Sequence, residues 1–243
     1  MKEKFNFVFE RYEKKYLLTA EKYEFLRKKL EPFMAVDDYG LTSICNIYYD
    51  TPEYRIIQKS LDKPKYKEKF RIRSYGIPKN DSNVFLEIKK KYKGVVYKRR
   101  AVMTHTQALD YLNSGIRPYN SQIINEIDYF FKFYNPSPAV FLAYDRIAMY
   151  GLRDSELRMT FDANIRSRFD DLDLTLGDYG EPLLTDDNAY LLEIKTLRTL
   201  PVWLTEILSE AEIYPTSFSK YGRVYERMIE RKISKSPKET TYV

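Results

Sequence analysis

The chain has 243 residues and a formal net charge of +6, so it can bury one large core or two small ones, and its charge favours an anionic partner. A single cysteine, Cys45, excludes an intrachain disulfide and a cysteine zinc site, and a single histidine, His105, argues against histidine catalysis. Eight glycines and the lack of a G-x-x-x-x-G-K-[ST] segment exclude a Walker-type phosphate loop.

The first half of the chain predicts mainly short strands. A strand over 8–18 is followed by a helix over 20–31, which Thr19 caps and Pro32 ends. A short helix over 53–61 interrupts four further strands, which we place at 43–50, 67–75, 83–91 and 95–103. Glycine, proline and asparagine mark the turns at 76–78, 80–83 and 93–94.

The second half predicts helices on both sides of three more strands. The helices lie over 106–113, 120–134, 201–212 and 219–232, and the strands over 139–150, 156–166 and 189–197. The acidic, turn-rich segment 170–188 reads as a long surface loop, and we expect the polar tail 233–243 to fray. Seven or eight strands with few crossover helices predict a mostly antiparallel sheet or barrel with helices added. Without a repeat or linker, we expect one domain over 1–243, with its core at about 8–230.

One predicted strand carries a cation at every second position: Lys65, Lys67, Lys69, Arg71 and Arg73. Alternate residues of a strand point to the same face, so these charges share one face and Phe70 and Ile72 share the other. The same division recurs along the other strands, where Arg and Lys dominate and the intervening acids are Glu13, Glu87 and Glu193. Taken alone, such a face is typical of a solvated sheet edge that resists aggregation.

Two architectures fit this pattern. In the first, the charged faces meet water and the apolar faces meet a core. In the second, the sheet closes, the charged faces line a lumen and helices cover the apolar outer face. Unpaired cations in such a confined space are costly, so a triphosphate or polyphosphate would have to fill it. The carboxylates would then hold the divalent metal that a triphosphate carries.

Eight short segments, in this order along about residues 8–230, resemble the triphosphate tunnel metalloenzymes: RYEKKY, IYYDTPEY, FRIRSY, LEIKKK, YDR, RMTFD, LLEIK and SFSKY. They resemble most closely the branch that contains the catalytic domain of the vacuolar transporter chaperone complex, a polyphosphate polymerase. The resemblance implies an α+β fold, with an antiparallel eight-stranded β-barrel tunnel and helices packed outside. The triphosphatase branch begins with Glu-x-Glu-x-Lys, and here Arg11 replaces its first acid, which weakens the triphosphatase and adenylate cyclase interpretations.

The resemblance also implies roles for individual side chains. The expected catalytic residues are Lys15, Arg71, Arg73, Lys89, Arg146, Arg158 and Glu193. The residues expected to bind the nucleotide and the growing chain are Arg11, Lys98, Arg100, Tyr144, Lys195, Ser219 and Lys220. Glu193 would also hold Mn²⁺ or Mg²⁺, and its alternative role is a salt bridge to Lys195 or Arg158. A register shift of one residue would decide which of residues 98–100 point inward.

We therefore expect a metal-dependent polyphosphate polymerase that transfers the terminal phosphate of ATP to a growing polyphosphate chain inside a basic tunnel. The alternatives are an inorganic or nucleoside triphosphatase of the same fold and a non-catalytic polyanion-binding module. Arg11, the density of cations and SFSKY favour the polymerase, whereas Glu87 and Glu193 favour an enzyme over a passive anion binder.

The sequence also bounds the partners and the compartment. The basic runs 89–91 and 98–100 could indicate nucleic acid, but aromatic residues on the same faces are sparse, so we expect no nucleic-acid partner. No apolar run has the length of a membrane span and the first residues lack the apolar core of a signal peptide, so we expect a cytoplasmic protein. The sequence does not show whether a membrane-protein partner receives the product.

Overall fold

The computed structural model describes residues 12–93, 95–197 and 199–235, and in them it contains nine strands and six α-helices. The strands are β1 (Tyr12–Leu18), β2 (Met34–Asp50), β3 (Tyr66–Tyr75), β4 (Asn83–Tyr92), β5 (Val95–Thr104), β6 (Ser137–Gly151), β7 (Arg158–Arg168), β8 (Glu181–Pro182) and β9 (Tyr190–Thr196). The helices are α1 (Ala20–Leu30), α2 (Arg55–Leu61), α3 (His105–Ser114), α4 (Gln122–Tyr134), α5 (Val202–Glu210) and α6 (Lys220–Lys235).

The strands form one antiparallel sheet. Their order is β1-β9-β7-β6-β2-β3-β4-β5, and the short strand β8 pairs with β7. The predicted α+β class, with an antiparallel sheet of at least eight strands and helices on its apolar side, is confirmed. In the described residues, no helix is both long enough and apolar enough to cross a membrane.

The chain divides into two compact units. The first takes in the described residues up to 44 together with 144–165 and 184–217, and the second takes in 45–143, 166–183 and the described residues from 218 onward. The expectation of a single functional domain over 1–243 stays a prediction.

In the first unit, helices α1 and α5 cover the apolar faces of β1, β7 and β9. Leu192 and Ile194 of β9 pack in one buried cluster with Leu26 of α1 and Leu204 of α5. Helix α1 begins where predicted, because the Thr19 side chain accepts a hydrogen bond from the backbone N–H of Lys22 at 3.2 Å. The charged side chains of these strands therefore lie on the face that the helices leave uncovered.

In the second unit, helices α3 and α4 cover the apolar faces of β3 and β4 in the same way. Ile72 and Ile88 are buried in one cluster with Ala108 of α3 and Phe130 of α4. The N-terminus of α3 is fixed by a capping box in which Thr104 and Gln107 bond each other's backbone. Helices cover the apolar strand faces of both units, as the second architecture requires. That the charged faces enclose one cavity stays a prediction.

The structure departs from the predicted elements in three places. Helix α6 continues to Lys235, into the predicted polar tail, and the expected fraying of residues 236–243 lies outside the described residues. Strand β2 begins at Met34 rather than near residue 43. Its first part contains Asp37, Asp38 and a Gly40 at φ +57°, which hide the alternation of a strand. The predicted loop 170–188 contains two short 3₁₀ turns and the two-residue β8. A two-residue strand carries no periodicity, so the sequence could not show it.

Candidate functional site

Glu87 on β4 is the centre of a basic cluster in the second unit, and only 2% of its side chain is exposed. One carboxylate oxygen accepts a hydrogen bond from Arg71 Nε and the other from Arg100 Nε, both at 2.8 Å. The Nζ atom of Lys98 lies 2.8 Å from Glu87, and Arg73 Nε lies 3.8 Å from it. These five residues are termed the Glu87 cluster.

Strand register explains why these side chains meet. Arg71 on β3 and Arg100 on β5 are both the direct cross-strand partners of Glu87. Lys98 shares the face of Arg100, because alternate residues of a strand point the same way. Arg99 points to the other face, where its Nε lies 3.6 Å from a carboxylate oxygen of Glu126 on α4. The register thus places Lys98 and Arg100, and not Arg99, beside Glu87.

The electrostatics of the cluster favour bound anions. Burial raises the pKa of Glu87, but Arg71, Arg73 and Lys98 outweigh it and hold that pKa well below its usual range. Burial lowers the pKa of Lys98 to about 8, with Arg71 and Arg100 adding to the effect and Glu87 opposing it. Although 44% of the Lys98 side chain is exposed, its ammonium group lies among the other cations, and this end of the side chain accounts for the lowered pKa. At neutral pH, four cations face one carboxylate.

Polar side chains of β2 orient two of these arginines. Arg73 Nε donates to Asn46 Oδ1 at 2.9 Å, and Arg71 Nη1 donates to the Tyr48 hydroxyl at 2.8 Å. The sequence analysis did not assign Asn46 or Tyr48 to the site. The signal was present, because Asn46, Tyr48 and Asp50 occupy alternate positions of SICNIYYD and so share one strand face.

The start of α6 lies beside the β3 cation row. Lys69 Nζ donates to Ser219 Oγ at 3.2 Å and stands 5.9 Å from the centre of the Tyr221 ring. Tyr221 is held by its hydroxyl, which donates to Asp50 Oδ2 at 2.7 Å, and its ring stacks on Tyr48 at 4.7 Å. The contacts of Tyr48 therefore connect this helix start to Arg71. Lys220, the first residue of α6, is buried.

Glu193 on β9 is the centre of a second cluster, in the first unit. Its carboxylate oxygens lie 3.4 Å from Lys15 Nζ, 3.6 Å from Lys195 Nζ and 3.8 Å from Arg146 Nη2. Lys15 is the cross-strand partner of Glu193, and its Nζ also lies 3.5 Å from Glu13. The Glu193 cluster is defined as Glu13, Lys15, Arg146, Asp162, Glu193 and Lys195.

Arg146 is fixed within this cluster by Asp162 of β7. Its Nε and Nη2 atoms donate to the two Asp162 oxygens at 2.6 and 2.8 Å, a bidentate pair. Burial opposes the charge of Arg146, but Tyr144, Asp162 and Glu193 outweigh burial and raise its pKa. The Tyr144 ring centre lies 5.0 Å from the guanidinium. The sequence analysis gave Asp162 no role, although the segments YDR and RMTFD contain both partners of this pair.

Among the described residues, five predicted site residues are not members of either cluster as defined: Lys89, Tyr144, Arg158, Ser219 and Lys220. Arg158 is the cross-strand partner of Lys195, but its Nε donates to the backbone oxygen of Ser155 at 3.0 Å. Lys89 is exposed on β4, opposite Lys98. Arg11 lies outside the described residues. The roles of all the predicted site residues stay predictions.

The chain's own side chains do not build a complete metal site in the part that the structure describes, which holds no group of three or more His, Cys, Asp or Glu suited to a metal. The alternative partner Lys195 does contact Glu193. Glu193 still offers the carboxylate oxygens that Mg²⁺ and Mn²⁺ prefer. A metal ion here would therefore need further oxygen ligands from a bound phosphate.

The fold and the two clusters define an α+β protein with a large antiparallel sheet, in which buried carboxylates are surrounded by cations. A family model described as "VTC domain" matches residues 10–229, and the chain therefore belongs to the VTC domain family. The resemblance predicted from the sequence is confirmed at this level. No curated protein matches the chain.

Two solved structures share the fold at low sequence identity. A candidate adenylate cyclase from Bacillus halodurans is 15% identical with a TM-score of 0.54, and the match covers 85% of this chain and 92% of that one. A candidate adenylyl cyclase from Hippeastrum, described as having a dominant triphosphatase activity, is 16% identical with a TM-score of 0.54. That match covers 88% of this chain and 95% of the other. At this identity, the likeness establishes the fold alone.

Proposed function

We propose that this chain is an ATP-dependent polyphosphate polymerase. The observation that carries the proposal is the Glu87 cluster, in which four cations surround one buried carboxylate. An excess of positive charge in a partly buried site is unfavourable unless a bound anion neutralises it. Tyr48 and Asn46 orient Arg71 and Arg73, and oriented guanidinium groups bind phosphate oxygens with geometric specificity.

The residue types suit phosphoryl transfer, which depends on positioning and charge stabilisation. A terminal phosphate oxygen of the growing chain attacks the γ-phosphorus of ATP. The bond from that phosphorus to the bridging oxygen breaks, and ADP leaves with the electron pair. The acceptor oxygen is already ionised, so the reaction needs no histidine base. ATP would enter as its Mn²⁺ or Mg²⁺ complex, and Glu193 would bind the metal that the nucleotide carries.

Within the first unit, the Glu193 cluster would bind the metal and the phosphate oxygens that accompany it. Lys15 and Arg146 contact the proposed metal ligand Glu193, so they are suited to neutralise phosphate oxygens that share the metal. Asp162 holds Arg146 in place. The other site residues named from the sequence, including Lys89, Arg158, Ser219 and Lys220, keep their proposed roles in binding phosphate.

Triphosphate hydrolysis is the second candidate activity. It is supported by the Hippeastrum protein of similar fold, which is described as having a dominant triphosphatase activity. The same cations would bind a triphosphate, with water as the acceptor. The two activities differ in their products and not in the residues that they need.

The decisive experiment is incubation of the chain with ATP and Mn²⁺, with gel analysis for long polyphosphate and a separate assay of free phosphate. A polymerase gives growing chains and ADP, and it binds tripolyphosphate without degrading it rapidly. Arg71→Ala should abolish the product, and Arg223→Ala, on the exposed face of α6, is the matched control. Free phosphate without long chains would indicate a hydrolase instead of a polymerase. Binding of polyphosphate without turnover would indicate a polyanion-binding module.

A further inference from the structure

Exposed aromatic side chains gather at one end of the β3–β4–β5 sheet in the second unit. Tyr66, Tyr92 and Tyr97 are exposed on the strands, and α4 adds Tyr129 and Phe133, which are 65% and 64% exposed. The rings of Tyr129 and Phe133 stack with centres 6.1 Å apart. These five residues are termed the aromatic surface. Exposed aromatic patches of this kind usually mark an interaction site.

The aromatic surface is continuous from the strands to the helix. Tyr66 is the cross-strand partner of Tyr92. Glu68 shares the β3 face of Tyr66 and accepts a hydrogen bond from the hydroxyl of Tyr134 on α4 at 3.0 Å. The Tyr134 ring centre lies 4.7 Å from that of Phe133, so the strand and helix parts of the surface adjoin. The patch therefore joins two elements and is not a set of scattered side chains.

Lysines crowd the opposite face of the same strand ends. Lys67 and Lys91 are cross-strand partners. Burial, Lys91 and Lys63 lower the pKa of Lys67, as expected when ammonium groups repel one another. At the adjoining turn, Lys93 Nζ lies 5.4 Å from the centre of the Tyr92 ring. The end of the sheet thus presents tyrosines on one face and lysines on the other.

The carboxylates nearest the aromatic surface are already engaged. Glu68 accepts a hydrogen bond from the Tyr134 hydroxyl at 3.0 Å, and Glu126 accepts one from Lys90 Nζ at 2.9 Å. These contacts leave the lysines as the dominant charge at this end of the unit. A second copy of the chain would bring like charges together, whereas an anionic surface would complement them.

We propose that this end of the second unit docks on an anionic lipid surface. Tyrosine rings have an apolar body and a polar tip, which suits the boundary between headgroups and acyl chains. Lysines near an anionic leaflet each add about 1 kcal/mol of attraction, roughly a fivefold gain in binding. The tyrosines and Phe133 would enter the headgroup layer while Lys63, Lys91 and Lys93 reach lipid phosphates. This inference does not depend on the proposed polymerase activity.

Vesicle sedimentation with the full chain tests the proposal. We expect the chain to bind vesicles of phosphatidylcholine mixed with phosphatidylglycerol, to bind more weakly as salt increases, and not to bind phosphatidylcholine alone. Lys91→Glu with Lys93→Glu should weaken binding about 30-fold or more. Tyr129→Ser with Phe133→Ser should weaken it about tenfold or more, because exposed rings that enter the headgroup layer are lost.

Two matched controls carry the same substitutions elsewhere. They are Lys28→Glu with Lys79→Glu, and Tyr39→Ser with Tyr214→Ser, all at exposed positions. Thermal unfolding confirms that each variant is folded. The proposal is overturned if the chain does not bind anionic vesicles or if the patch variants bind them like their controls. It is also overturned if the aromatic variants instead abolish a dimer or the binding of a single-stranded oligonucleotide.

Discussion

At the scale of single residues, Glu87 and Glu193 are buried carboxylates in different surroundings. Glu87 accepts hydrogen bonds of 2.8 Å from two arginines. The three cations around Glu193 stand 3.4–3.8 Å from its oxygens, farther than a normal hydrogen bond. Its hydrogen bonds suit Glu87 to hold the cation cluster together, whereas the role of Glu193 as a metal ligand stays a prediction.

Glu193→Gln tests the proposed metal contact. The change keeps the size of the side chain and removes its charge, so we expect kcat to fall by at least about 100-fold, as for the loss of one strong electrostatic stabiliser. Steady-state turnover of ATP at saturating Mn²⁺ measures the effect. Glu210→Gln, at an exposed pair with Lys29 in the same unit, is the control. Near-normal turnover of the Glu193 variant would leave Glu193 as a salt-bridge partner of Lys195.

Glu87→Gln tests the structural function of the other carboxylate. Without that charge, four cations lose the carboxylate that they share, so the free energy of unfolding should fall by about 3–5 kcal/mol in urea. Added tripolyphosphate should restore part of that loss, because it binds the folded state only. An unchanged urea midpoint in Glu87→Gln would contradict the structural role of the Glu87 carboxylate.

The pH dependence of stability follows from the depressed pKa of Glu87. Its contribution is fully present above the unfolded-state pKa of about 4.3. It is lost as the pH falls through the lower pKa of the folded state. The wild-type chain should therefore lose stability in acid more steeply than Glu87→Gln.

Lys98 should make substrate capture sensitive to mildly alkaline pH. Its pKa is lowered to about 8, so the ammonium charge is present below that pH and is lost above it. The value of kcat/KM, which reports the free enzyme, should fall about fivefold between pH 8 and 9 if that charge is required. Lys98→Arg keeps its charge and should flatten the profile, whereas Lys79→Arg should not. The same fall in Lys98→Arg would assign the titration to another group.

At the scale of elements, the side chains of β5 alternate between the face of the Glu87 cluster and the face that packs against helices. Arg100 contacts Glu87 on one face, and Arg99 contacts Glu126 of α4 on the other. Strands β3, β4 and β9 have the same division, with apolar side chains packed under helices and charged side chains on the other face. Neighbouring residues of one strand can therefore differ completely in function.

Arg100→Ala and Arg99→Ala form a matched pair one residue apart. Loss of charge-assisted contacts to phosphate should lower kcat/KM of Arg100→Ala by about 10- to 100-fold. Arg99→Ala should change kcat/KM little, because its partner lies on the helix side. Equal losses in both variants would show that β5 acts through stability and not through contact with phosphate.

At the scale of the whole molecule, the two candidate activities predict different dependence on ligand length. The cation row runs along β3 from Arg73 to Lys65, the residue before the strand, and it is longer than one triphosphate. For a polymerase, affinity should rise about tenfold or more beyond three phosphates and fall steeply with salt. Calorimetric titration with polyphosphates of defined length measures this. An affinity that levels off at three phosphates would favour the hydrolase.

The sequence by itself determined the strand faces, most element boundaries and the family. Alternation of cations with Phe70 and Ile72 was enough to assign the faces, because a strand has a period of two. The first part of β2 was not predicted, because its acids and a glycine hide the alternation of a strand. The two-residue β8 was not predicted, because it is too short to show any periodicity.

Only the tertiary structure decided which charges meet. Register between β4 and β5 selects Lys98 and Arg100 over Arg99, and a shift of one residue would reverse that choice. The contacts of Asn46 with Arg73 and of Asp162 with Arg146 depend on side chains brought together from different strands. One strand's pattern fixes its own faces, whereas the partner of each buried charge is set by how the strands pair and pack.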